Sequence, residues 1–363
     1  MTIFTGTSGD DILPPIGQNN GGDDIFYGLA GADQISAGIG NDIVYGGSEA
    51  DVIDGGGGDD FLSGGTGADT LIGNFGDDIY IVDNAGDTVT EYSASDGLDT
   101  IYSGVSYMLP LHVERLILTG SWNTSATGGD GADTLIGNSG ANTLTGGDGV
   151  DFLSGGAGND VLRGGAGADA YDGGDGIDAI TFTESNVGVF VNLDTGVGLG
   201  GALGETFAGI ENINGSNGDD QLVGTSGDNV LNGWAGRDQL SGTTNSPGND
   251  PDGADRFVFS SPAHTVVGER ADLIVGFHRD QHDSIDLSQM DADTTVAGDQ
   301  AFTFIGTGYY TGHAGELRYN VIRSTLVAIA GDVNGDGVSD FHIRMWLADT
   351  VTVVDVGVGD FVL

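Results

Sequence analysis

Along the first part of the chain one pattern of polar and apolar positions recurs every nine residues. A glycine-rich turn leads to an aspartate, and the aspartate opens a three-residue run with one apolar side chain at its centre. GGGGDDFLS (55–63), GGTGADTLI (64–72) and GNFGDDIYI (73–81) show the unit, G-G-x-G-x-D-x-U-x with U apolar. Phe26, Ile35, Val44, Ile53, Leu62, Leu71 and Tyr80 hold the U position without a slip. A single apolar residue flanked by polar ones between turns predicts a short β-strand that buries U and exposes its neighbours. Two nonapeptides then close one coil of two strands and two turns. Turns i and i+2 stack on the same side, about 4.8 Å apart. The expectation is an all-β chain, a parallel β-roll with a C-terminal β cap domain. A period of nine rather than three excludes collagen.

The register divides the chain. Residues 1–18 hold a degenerate unit, GTSGDDIL (6–13), and 19–81 form a first array. A second array spans 128–181, and a third, with its linker, spans 215–255. Residues 82–127 and 182–214 break the period but carry β-branched and apolar runs such as DTIYSGVSYML and VGVFVNLDTG. They read as irregular coils of the same solenoid, with inserted modules as the alternative. A Pro/Gly/Asn/Asp-rich stretch at 243–255 marks a boundary. Beyond it, 256–363 alternates in strand fashion and is expected to cap the solenoid as a sandwich-like or irregular β domain. If every coil from 19 to 258 stacks, about 13 coils make a rod of roughly 60 Å.

Charge changes this picture. The chain has 55 acidic residues against 9 basic ones, all arginine, for a net charge of −46. That excludes nucleic acid and anionic lipid as partners, since both need a basic surface. It also means that the folded chain repels itself unless cations neutralise it; without them, disorder is the simpler reading. There is no cysteine, so no disulfide holds the fold. No apolar run is long enough for a transmembrane segment. MTIFTGTSGDDIL lacks the basic and apolar regions of a Sec signal peptide, leaving cytoplasmic residence or another export route.

The turn chemistry names the cation. Glycines let the backbone turn tightly and direct carbonyl oxygens to one centre, and the aspartate adds a hard anionic oxygen. Calcium takes about six to eight oxygens in loose geometry, which magnesium tolerates poorly. One turn cannot supply that many, but two stacked turns can, pairing Asp24 with Asp42 and Asp33 with Asp51. The candidate ligands are Asp24, Asp33, Asp42, Asp51, Asp60, Asp69 and Asp78 in the first array. In the second they are Asp133, Asp151, Asp160, Asp169 and Asp178, with Asn142 replacing one acid, and in the third Asp220 and Asp238, with Asn229 between them. Several calcium ions are expected, with folding coupled to their binding because the thin core cannot fold alone. Asp332, Asn334, Asp336 and Asp340 in DVNGDGVSD form either a further calcium loop or an Asx-rich turn.

Residues 19–241 resemble the parallel β-roll of RTX, haemolysin-type, calcium-binding proteins. Residues 253–363 resemble the C-terminal domain of serralysin-type metalloproteases, through GADRFVFSS, ADLIVGF, DSIDLSQMDAD and QAFTFIGTGYYTGHAGELRY. The resemblance implies export through a type I secretion apparatus on an uncleaved C-terminal signal, here Asp360, Phe361, Val362 and Leu363, and folding in external calcium. It implies a secreted, extracellular protein, cell-surface associated or free. The serralysin protease motif H-E-x-x-H is absent: His278 and His282 have its spacing, but Arg279 holds the Glu position. G-x-S-x-G is absent too. Glu91, Glu114, Glu184, Glu205, Glu211, Glu269 and Glu316 form no evident catalytic pair and are expected at the solvated surface. Trp122, Trp234, Tyr309 and Tyr310 either stack on sugars or fill a core. A non-enzymatic surface, adhesion or matrix role follows, with polysaccharide as the partner considered. The alternatives are a polysaccharide-modifying or hydrolytic enzyme, or an accessory module of a separate secreted enzyme.

Overall fold

The computed structural model describes residues 1–14, 21–93, 97–243, 253–347 and 356–363. Asn19 and Asn20 at the start of the first array, most of the expected boundary (244–252) and the run at 351–355 lie outside the described residues. Among the described residues all regular structure is strand, apart from 3₁₀ turns at Arg279–Gln281 and Val358–Asp360. No helix among them is long and apolar enough to cross a membrane. The chain divides into two compact units, Met1–Gly176 and Ile177–Leu363.

In the first unit, successive strands alternate between two parallel sheets, and each residue lies opposite the one eighteen positions later. Phe26, Val44, Leu62 and Tyr80 stack in one sheet, and Ile35, Ile53, Leu71 and Val89 in the other. Their neighbours on the same strands face outward: Leu62 is fully buried, whereas Tyr45 is 40% exposed. The irregular segment keeps the same stack. Tyr80 is followed by Ile101, Leu116, Leu135, Leu153 and Tyr171. Strands of segment 82–127 thus pair in parallel between those of the first and second arrays, at uneven spacing.

The regular strands are longer than the three-residue runs expected. Ile43–Ser48 and Phe61–Thr66 each span six residues, because the glycine pair belongs to the strand. Pairing lapses at the first glycine and resumes at the second: Tyr27 faces Tyr45, then Leu29 faces Gly47. The second glycine has a positive φ, 123° at Gly47 and 84° at Gly65, which bends the chain within the ladder. A Cβ at Gly47 would strike the carbonyl of Leu29 in the adjoining coil. Leu29 (φ 83°), Asn74 (φ 75°) and Trp234 (φ 61°) hold this second-glycine position, and Glu49 (φ 79°) holds that of the third motif glycine.

The second unit repeats the principle. Ile180, Ile213, Leu231, Phe257, Ile285 and Phe361 stack in one parallel sheet. Val191, Leu222, Leu240, Ile274 and Met345 stack in another. Within 182–214 the chain adds an antiparallel excursion, Val189–Asn192 against Val197–Gly200. The segment from Arg256 onward, expected as a sandwich-like or irregular β cap, begins as a continuation of the coils. Its strands at 256–258, 272–277 and 284–286 extend the solenoid ladder, and only then do Glu316–Arg323, Leu326–Asp332 and Phe341–Leu347 form an antiparallel meander. The ladder outlasts the glycines because it needs only an acid two residues before an inward apolar side chain. Asp255 with Phe257, Asp272 with Ile274 and Asp283 with Ile285 supply that pair.

Leu62→Ala empties a fully buried rung and should lower stability in calcium by about 2–5 kcal/mol, read from denaturant midpoints. Glu49→Gly should raise it by up to about 1 kcal/mol, since it removes a left-handed non-glycine residue.

Candidate metal centre

The motif aspartates line the interior edge of the turns and are nearly inaccessible, between 1% and 5% exposed from Asp24 to Asp78 and from Asp133 to Asp169. The stack puts them there. Each aspartate sits two residues before an inward U, just ahead of the strand, so its side chain turns back under the corner. Its Oδ1 accepts the backbone N–H of the aspartate one coil earlier. Asp24 donates to Asp42 at 2.7 Å, Asp42 to Asp60 at 2.8 Å and Asp60 to Asp78 at 2.8 Å. On the other edge Asp33 donates to Asp51 and Asp51 to Asp69, both at 2.8 Å. The second array runs Asp133–Asp151–Asp169 and Asn142–Asp160. The second unit runs Asp220–Asp238–Asp272.

The other carboxylate oxygen carries the chemistry. Oδ2 of Asp33, Asp42, Asp51, Asp60, Asp69, Asp78, Asp151, Asp169 and Asp238 is buried and accepts no hydrogen bond. It faces a small space beside the first glycine of its own motif. A Cβ at Gly46 would run into Asp51 Oδ2 and the carbonyl oxygen of Gly64 in the next coil. Gly28 faces Asp33 Oδ2 and the Gly46 carbonyl, and Gly146 faces Asp151 Oδ2 and the Gly164 carbonyl. Gly215 faces Asp220 Oδ2 and the Gly233 carbonyl, but there Oδ2 already accepts the Ser216 N–H. Each cradle therefore gathers hard oxygens from two stacked turns around a void that only glycine leaves open. An orphaned buried carboxylate oxygen costs several kcal/mol by order of magnitude. An oxygen-seeking cation removes that cost, so the donor set fits calcium.

The proton affinity of these groups shows the same strain. Burial, opposed in part by the backbone N–H on Oδ1 and reinforced by neighbouring aspartates, raises Asp42 and Asp51 to about 6, Asp60 to about 7 and Asp78 to about 8. Burial likewise lifts Asp151 to about 6 and Asp238 to about 8, and raises Asp33, Asp69, Asp133, Asp160, Asp169 and Asp220. Without a cation the folded coils hold protons that the unfolded chain, with carboxyl pKa values near 4, has released.

Several expected roles change. Asn142 and Asn229 keep the ladder, each receiving a protein contact on its amide oxygen, from Asn138 N–H and Thr225 N–H. Asp178 also lies in the second unit, where its N–H donates to Glu211. Asp332 Oδ1 accepts Asn334 and Gly335 N–H and its Oδ2 accepts Gly337 N–H, while Asp340 accepts Val333 N–H and Asn334 Nδ2. Asp336 accepts Val338 N–H. These are Asx-turn contacts, and among the described residues no carboxylate oxygen of this loop is both buried and without a hydrogen bond. The glutamates are not all at the surface: Glu91, Glu205 and Glu316 are buried. Asp87, Asp99 and Glu114 carry the ladder through the irregular coils, and Asp255, Asp272 and Asp283 carry it past the last nonapeptide. The acid-x-apolar triplet without its glycine frame was the signal for these six. His278 and His282 flank a single 3₁₀ turn, where Arg279 pairs with Asp360. Trp122 is exposed, Trp234 packs on His264, and Arg318 lies over both Tyr309 and Tyr310.

Comparison with known families agrees with this geometry. Residues 19–53, 54–89, 127–162 and 145–180 match the RTX calcium-binding nonapeptide repeat, in four copies. Residues 194–357 match the peptidase M10 serralysin C-terminal domain. No curated protein matches the chain.

Acidification in chelator has a defined sign. Carboxyls whose pKa rises on folding bind more protons in the folded state, so ion-free coils gain stability as pH falls from about 8 towards 4 and lose it as pH rises. Circular dichroism in chelator should show β-structure increasing over that window, and calcium affinity should fall over it. Gly46→Ala fills the cradle between Asp51 Oδ2 and the Gly64 carbonyl, and equilibrium dialysis should find one calcium ion fewer.

Proposed function

We propose that this chain, a calcium-binding RTX repeat protein with a serralysin C-terminal domain, leaves the cell unfolded through a type I secretion apparatus and folds on extracellular calcium. Outside, it acts as a non-enzymatic scaffold at the cell surface or in the matrix, in adhesion to polysaccharide. The observation that carries this reading is the row of cradles, in which a buried Oδ2 without a hydrogen bond, as in Asp33, Asp51 and Asp151, faces the carbonyl of a glycine in the next coil. Asp24 to Asp78 and Asp133 to Asp178 in the arrays, with Asp220 and Asp238, hold the ions. When bound, calcium supplies the positive charge that the coils lack, and its binding free energy becomes folding free energy.

The aspartates keep one oxygen on the ladder and present the other to the ion. The glycines exclude side chains from the cradle, and the U residues close the coil interior to water. At cytoplasmic calcium levels the carboxylates repel one another and the chain remains extended enough for export. The C-terminal residues support this order of events. Once folded, Phe361–Val362 pairs with Ser284–Asp286, and Asp360 is buried against Arg279. An apparatus reading Asp360–Leu363 has to meet them before folding.

Cells carrying a type I apparatus should release the full chain to the medium and retain a variant lacking Asp360–Leu363. Equal release of both would contradict the export reading. Surface-bound protein should come off cells on washing with chelator, and retention after the wash would contradict calcium-dependent adhesion.

A further inference from the structure

The first array ends at Gly73, where the regular cradle changes its donors. At Gly28 and Gly46 the space beside the first glycine faces the carbonyl of the residue eighteen positions later, Gly46 and Gly64. For Gly73 that residue is Glu91, held in place because Thr88–Thr90 pairs with Thr70–Ile72 in the same eighteen-residue register. A carboxylate now points where a carbonyl stood. A Cβ at Gly73 would run into Asp78 Oδ2, the Tyr80 hydroxyl and Glu91 Oε1.

The next coil contributes a third acid. Asp99 comes from the irregular segment and accepts the Asp78 N–H at 2.8 Å. One carboxylate oxygen from each of Asp78, Glu91 and Asp99 lies within 4.8 Å of the other two. The three residues are 1%, 6% and 1% exposed. Glu91 is fixed by two donors: the Tyr80 hydroxyl on Oε1 and the Asn74 N–H on Oε2, the latter at 3.0 Å. Asp78 Oδ1 accepts the Asp60 N–H, while its Oδ2 is buried and accepts no hydrogen bond. The cluster therefore has a directed, unsatisfied anionic oxygen as well as concentrated charge.

We propose that Asp78, Glu91 and Asp99 form a calcium site outside the nonapeptide consensus, closing the end of the first array. It rests on the reading of the regular cradles as calcium sites, but its donors are its own. Three carboxylates replace the aspartate-and-carbonyl pairing of the internal cradles, and added ligand charge tightens calcium binding. An all-oxygen donor set selects a hard divalent cation over zinc or copper. Such a site anchors the last regular coil to the first irregular one, where the glycine turns run out.

The test uses the full chain, equilibrium dialysis with calcium, and terbium emission excited through tyrosine. Glu91→Gln should bind one calcium ion fewer, or bind one about tenfold more weakly, and lose part of the sensitised emission. Tyr80→Phe, which removes the adjacent ring donor's hydroxyl but no carboxylate, should keep the ion count and lose part of that emission. An unchanged count and undiminished emission in Glu91→Gln would overturn the site. If Glu91→Gln does not fold in calcium, Tyr80→Phe decides: reduced emission at an unchanged count supports the site, and unchanged emission overturns it. A wild-type chain that binds no calcium at all would instead sink the broader reading of the cradles.

Discussion

A buried aspartate with only one oxygen satisfied is the constraint on which the solenoid depends. Oδ1 closes the ladder between coils, so no aspartate can leave without breaking a backbone contact. Oδ2 is then confined beside a glycine with no protein donor. The same side chain thus builds the coil and creates its electrostatic deficit. With a net charge of −46 and no lysine, the chain has few groups of its own to make good that deficit. On the proposed reading a cation in each cradle offsets it, and stability is tied to the medium rather than to the core.

The core explains why stability cannot come from elsewhere. Regular strands such as Ile43–Ser48 and Phe61–Thr66 bury a single large apolar side chain, so each stacked row is one residue wide there. Burial of such a side chain is worth roughly 1.5–3 kcal/mol, whereas fixing each residue's backbone costs about 1–2 kcal/mol. Glycines, needed for the positive φ of Gly47 and the open cradle beside Gly46, add to that cost. Packing sets the register, and on the proposed reading ion binding decides whether the register is populated.

Much of this was legible in the sequence. The U positions from Phe26 to Tyr80 and the acids two residues before them predicted the coil and the eighteen-residue stacking that sets Asp24 against Asp42 and Asp33 against Asp51; that each pair shares an ion belongs to the proposal. What escaped was whatever lacked the glycine frame. Spacing along the inward stack runs unevenly from Tyr80 to Ile101, Leu116 and Leu135, so no period announced Asp99 or Glu114. Glu91 looked like an isolated surface acid because its burial depends on a register that only strand pairing reveals. The continuation past Arg256 escaped for the same reason: Phe257, Ile274 and Ile285 preserve the ladder after the turns have lost their signature. The double duty of each aspartate was also hidden, since spacing identifies an oxygen donor but not which oxygen the backbone already uses.

The most direct measurement is amide hydrogen exchange on the full chain at neutral pH, in chelator, in calcium and in magnesium. The account predicts that the strand amides of 25–82 and 143–175 exchange freely in chelator and in magnesium. Calcium should protect them together over one narrow concentration range. Equal protection in chelator would show that the apolar stack alone holds the coils, and would contradict the coupling of fold to ion.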